Sequence, residues 1–175
     1  CGNQSSSTPI LIHRVKKWRQ REEAKRIWKE YAMNNASIVQ VLREGSDMKE
    51  LKRLYEEKLE IMHSISRCSN SGIVPDELYT IIKETLRLRG VIGCAVAGAG
   101  GFDSFYCLYD SQQVRPSQLE SIWSQAGCQV SSIVEGHDGL IISFPVCSEQ
   151  TDKNVTAAEN FPLSRVFLNA VACFC

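Results

Sequence analysis

Apolar residues recur along the first ninety positions with helical spacing, and then switch to the short runs of strands. Ala24, Ile27, Trp28, Tyr31 and Ala32 fall at i, i+3, i+4, i+7 and i+8, which predicts one buried face of a long helix over residues 9–33. Thr8 is its candidate N-cap and Pro9 stands at N1, where a missing N–H costs nothing. Asn34 and Asn35 interrupt the pattern. A short helix carrying Ile38, Val39, Val41 and Leu42 follows and ends at Gly45. Asp47 is placed to cap a helix running to about Ser66, with Met48, Leu51, Leu54, Tyr55, Met62 and Ile65 on one face. Pro75 opens another, with Leu78, Ile81, Ile82 and Leu86 inward, ending at Gly90.

Residues 91–97 and 105–109 read as strands, and 116–126 as a helix stopped by Gly127. Residues 128–134 and 140–144 read as a strand pair joined by the turn Glu135-Gly136-His137-Asp138-Gly139. Two strand–helix–strand halves around an antiparallel sheet give an α+β fold, a ferredoxin-like sheet covered by helices. Residues 1–144 form that domain. Residues 145–175 form an extension: a polar loop over 148–160, then Leu163, Val166, Phe167, Ala170, Val171 and Phe174 at helical spacing, which predicts a terminal helix.

Composition narrows the function. The 175 residues are 43% hydrophobic and 23% charged, as in soluble globular proteins. Twenty Lys and Arg balance twenty Asp and Glu, so no overall charge favours nucleic acid. No run nears the roughly 18 apolar residues of a membrane span. Eight cysteines include no Cys-x-x-Cys, and most lie in apolar runs, so they read as buried reduced thiols of a cytoplasmic protein rather than a disulfide framework or zinc site. The Asn35 and Asn154 glycosylation triplets read as chance. His13, His63 and His137 have no paired nucleophile, and Trp18, Trp28 and Trp123 sit at helical positions as core. The chain opens on Cys1 and a loop signal, so the expectation is a fragment of a longer polypeptide whose first strand is cut away and whose exposed sheet edge favours self-association.

One run carries candidate chemistry: Gly93-Cys94-Ala95-Val96-Ala97-Gly98-Ala99-Gly100-Gly101-Phe102-Asp103. A strand delivers the backbone to small residues that tolerate positive φ, and consecutive N–H groups can then face one concavity and hold phosphate oxygens. The other reading is a tight turn that glycine merely permits. The run is neither G-x-G-x-x-G nor a Walker A loop.

This run resembles the third, C-terminal motif of the GHMP kinases, and within that family Gly98 to Asp103 is most similar to the phosphomevalonate kinases. The stretch Gly2 to Pro9, with its Ser5-Ser6-Ser7-Thr8-Pro9, resembles their loop after the first strand of the C-terminal domain. Lys16-Lys17-Trp18 resembles the helix behind that loop, and Glu135 to Leu140 their closing hairpin; Ile73-Val74-Pro75-Asp76-Glu77 is a looser likeness. The family's ATP loop, Pro-x-x-x-Gly-Leu-Gly-Ser-Ser-Ala, is not among the 175 residues.

The resemblance implies the substrate-side half of a kinase that uses ATP and Mg²⁺, both held mainly by an N-terminal domain of the same polypeptide, to phosphorylate phosphomevalonate in isoprenoid synthesis. It implies that Gly98, Ala99, Gly100 and Gly101 offer backbone N–H groups to phosphates, and that Ser6, Ser7 and Thr8 offer hydroxyls where they do not simply cap a helix. Lys16 or Lys17 would add positive charge, and Asp103 would orient the loop by accepting a backbone N–H or cap a turn. No catalytic residue and no metal ligand is expected within this chain, which alone is expected to be inactive. The alternatives are another GHMP enzyme, such as mevalonate kinase, and a non-catalytic ferredoxin-like binding module with no nucleic-acid or membrane partner.

Overall fold

The computed structural model describes residues 7–45, 47–133 and 168–174. The elements are α1 (Thr8–Arg19), α2 (Glu22–Glu44), α3 (Met48–Ser69), α4 (Asp76–Arg87), β1 (Val91–Val96), β2 (Ser104–Asp110), α5 (Pro116–Gln125), β3 (Gln129–Ile133) and β4 (Leu168–Phe174). The predicted hairpin and strand over 135–144, the polar loop over 148–160 and Ser6 lie outside the described residues.

Local chemistry sets most boundaries. Asp47 Oδ1 accepts from the Lys49 and Glu50 amides at 3.0 and 2.9 Å, the predicted cap of α3. Gly45 ends α2 in the left-handed region, where its N–H reaches the Val41 carbonyl. The break in the first helical stretch is not at the asparagines. It falls at Gln20 and Arg21, where an extended Arg21 turns the chain so that Trp18 and Ala24 both go inside. Asn34 stays helical because its amide is buried against α3, with Nδ2 donating to the Leu54 carbonyl at 3.0 Å and to Glu57 at 3.3 Å. Such bonds outweigh a propensity deficit of at most about 0.7 kcal/mol. Thr8 is the first helical residue; Ser7 is the cap position, and its side chain makes no capping bond.

The sheet is antiparallel throughout, in the order β1-β2-β4-β3. It is the α+β arrangement the sequence predicts, a sheet covered by helices. Phe105 and Tyr106, neighbours in β2, project to opposite faces. Phe105 meets Trp123 of α5 edge-on at 5.2 Å, and Tyr106 meets Tyr55 of α3. With helices on both sides, Val91 through Ala95 are all buried. Gly93 is required here: a Cβ would lie 2.6 Å from the Tyr55 ring. Helices α4 and α5 are tied by the Trp123 indole, which donates to Thr85 Oγ1 at 2.8 Å in the fully buried core. Helices α1 and α2 contact α3.

The terminal helix is a correction. Leu168–Phe174 is a strand in the interior of the sheet, hydrogen-bonded to β2 on one side and β3 on the other. Seven mostly apolar residues suit a buried strand as well as a helical face, and periodicity alone cannot separate the two. What decides is the pair of open edges on β2 and β3, whose N–H and C=O groups one strand between them satisfies.

Candidate functional site

Strand β1 ends at Val96, and residues 97–103 turn the chain into β2. Gly98, Gly100 and Gly101 have φ of 58°, 79° and 83°, the left-handed region that L side chains avoid. The loop is held from inside. The Ala97 amide donates to the Ser104 carbonyl at 3.0 Å, and the Gly100 amide closes a turn on the Ala97 carbonyl at 3.2 Å. The Gly101 amide donates to the Ile73 carbonyl at 2.8 Å, which fastens the loop to the segment between α3 and α4. A Cβ on Gly100 would fall on that Ile73 carbonyl.

These bonds redistribute the anticipated donors. Gly100 and Gly101 are buried with their N–H groups committed within the protein, so they are not the phosphate donors of this loop as it stands. Gly98 is exposed and Ala99 half-buried, and neither amide has a partner among the described residues. The open part of the loop is therefore its first half. Asp103 is half-buried, and among the described residues its carboxylate accepts neither the orienting bond nor a turn-capping bond.

Gly98 lines a small cavity of about 90 Å³ with Tyr31, Lys58, Leu59, Met62, Val74, and Cys94 to Val96. Tyr31 is among its lining residues, while Tyr55 and Tyr106 pair with each other nearby, across α3 and β2. The Tyr55 and Tyr106 hydroxyls are 3.4 Å apart. Burial, then their mutual proximity, pushes the Tyr55 phenol far above its ordinary pKa; burial also raises Tyr106. Both stay protonated as hydrogen-bonding groups. Lys58 is half-buried, with its ammonium 6.0 Å from the Tyr55 ring centre. Burial lowers its pKa.

The other expected residues are elsewhere or open. Ser7 and Thr8 are exposed, and the Ser7 carbonyl, not its hydroxyl, receives the Ile10 and Leu11 amides. Lys16 and Lys17 are exposed on α1; Lys17 lines a separate recess with Arg14, Trp18, Arg21, Ser69 and Asn70. His63 stacks on Tyr79 at 4.0 Å and meets Asp76 at 2.7 Å, a packed imidazole as expected. Lys58 was not among the sequence candidates. A signal for it exists: at i+4 from Leu54 and i+3 from Tyr55 it holds a position in the apolar stripe of α3.

Among the described residues no three His, Cys, Asp or Glu side chains gather into a metal cage, and no helix is long and apolar enough to cross a membrane. Residues 38–127, more than half of the chain, match the family model described as GHMP kinases C terminal. That segment contains Lys58 and the glycine loop but not Ser7, Thr8, Lys16 or Lys17. Phosphomevalonate kinase erg8 of Aspergillus fumigatus is 28% identical over 119 residues, covering 62% of this chain and 24% of that protein. The chain thus spans about a quarter of that relative's length. No solved structure matches the chain.

Proposed function

The chain belongs to the GHMP kinase family through its C-terminal domain, and from that premise we propose that it is the substrate-side domain of an ATP-dependent kinase whose substrate is phosphomevalonate. The likeness to the fungal phosphomevalonate kinase supports the substrate class. The observation that carries the reading is the left-handed loop after β1, whose Gly98 and Ala99 amides have no partner among the described residues. Phosphoryl transfer depends mainly on positioning and charge stabilisation. Backbone N–H groups free to face a ligand suit the phosphate that the substrate already bears.

On this reading ATP and Mg²⁺ bind mainly to the N-terminal domain of the same polypeptide. The described residues hold no carboxylate cage that fits the metal, and no step is assigned to it on this chain. The Ser7 and Thr8 hydroxyls, free of capping duty, remain candidate donors to substrate oxygens together with Ser6.

Calorimetric titration with phosphomevalonate tests the proposal. The chain should bind phosphomevalonate saturably and mevalonate far more weakly, and should show no kinase turnover by itself. Equal affinity for the two compounds, or none for either, refutes it. The second reading is a binding module in which the glycine run is only a turn. The internal commitment of the Gly100 and Gly101 amides favours it, and absent phosphate binding would support it.

A further inference from the structure

We propose that Lys58 is a further substrate-binding residue, a phosphate-gripping cation that shares the cavity at the glycine loop with the Gly98 backbone. The proposal rests on the kinase reading above and names the group that the loop is paired with. Lys58 comes from the middle of α3, forty residues before Gly98, and both line the same cavity.

Three observations converge on it. First, position: helical spacing puts residue 58 in the stripe that α3 turns toward the sheet, between Tyr55 and Met62, where an apolar side chain is the expected occupant. A lysine kept there without function would be a poor choice, because burying a cation costs free energy unless it is paired. Second, the described residues do not pair it. Other charged residues of α3 are paired: Arg53 bridges Glu50 and Glu57, and Glu60 is held by Lys83 and Tyr79. Lys58 has no carboxylate partner among the described residues and faces only an aromatic ring. The depression of its pKa by burial fits a cation partly stripped of water with no counter-charge supplied by the described residues.

Third, size. About 90 Å³ is well below the roughly 300 Å³ at which pockets for whole drug-sized ligands begin. The cavity takes one small group, such as a tetrahedral oxyanion, and leaves the rest of the ligand outside. Gly98, exposed and without a Cβ, permits that close approach to the backbone. Tyr31 also lines the cavity.

Titrations of the 175-residue chain with phosphomevalonate and with inorganic pyrophosphate, for wild type, Lys58→Met and Lys58→Arg, test this. Loss of a charge-assisted bond should weaken Lys58→Met by about tenfold or more, while Lys58→Arg retains most of the affinity. Competitive amine labelling supplies a second readout: saturating phosphomevalonate should protect Lys58 and leave the exposed Lys16 and Lys17 labelled. If wild type and Lys58→Met bind equally and Lys58 labels equally with and without ligand, the assignment of Lys58 is overturned while the kinase reading survives. If wild type binds neither compound, both fall. Circular dichroism of Lys58→Met, whose methionine suits the apolar stripe, separates loss of binding from loss of fold; a folded variant with intact binding overturns the proposal.

Discussion

Gly98→Ala and Gly100→Ala put the same methyl group into the same loop and should differ severalfold in cost. Both residues have left-handed φ, 58° and 79°, which costs an L residue about 1–2 kcal/mol. At Gly98 that is the whole effect, since a Cβ there meets nothing within 4 Å. At Gly100 the Cβ would fall on the Ile73 carbonyl oxygen and within 3.1 Å of the Ile73 Cα. Relieving the clash requires the loop to withdraw from Ile73. That strands the 2.8 Å bond from the Gly101 amide, worth about 0.5–1.5 kcal/mol, and adds overpacking strain of about 1–3 kcal/mol. The sum for Gly100→Ala is about 3 kcal/mol or more, against about 1 for Gly98→Ala. Urea unfolding followed by tryptophan emission reads the difference, because Trp18 and Trp123 are 2% and 0% exposed. At a slope near 2 kcal/mol per molar, the midpoints should fall by about 0.5 M and about 1.5 M. Equal midpoints, or a larger loss for Gly98→Ala, would refute the claim that the Ile73 tie fixes the loop.

Three more outcomes follow from other parts of the structure. Thr85→Val removes the acceptor of the buried Trp123 indole and should cost about 1–3 kcal/mol in urea unfolding, with Thr85→Ser close to wild type; a neutral valine variant would contradict the bond. The His63 ring bonded to Asp76 holds that carboxyl below its usual pKa, so its contribution is present above about pH 4 and is lost as pH falls through the lower folded value. The wild-type urea midpoint should therefore drop more steeply between pH 5 and pH 3 than that of Asp76→Asn, and parallel curves would remove the pair from the acid response. Among Cys68, Cys94, Cys107 and Cys128, only Cys68 is exposed, so mass-mapped thiol labelling of the native chain should modify it first of these four; early modification of Cys107 would show the sheet to be open.

Wherever a feature depends on a few adjacent residues, the sequence determined it. Asp47 caps α3, Gly45 closes α2, β1 and β2 lie where their apolar runs predict, and the Gly98-Ala99-Gly100-Gly101 run makes a left-handed loop, because each depends on local φ preferences and hydrogen bonds within one turn of chain. Tertiary structure decided what depends on distant partners. Asn34 remains in a helix because the Leu54 carbonyl lies beside it, and Leu168–Phe174 is a strand because β2 and β3 both present unpaired edges. The Gly101 amide is spent on Ile73, twenty-eight residues earlier, which shifts the open donors to Gly98 and Ala99. Lys58 shares a cavity with the loop only once α3 lies across β1. A chain's local preferences can be read residue by residue, but which groups are left without partners is settled only when distant segments have claimed theirs.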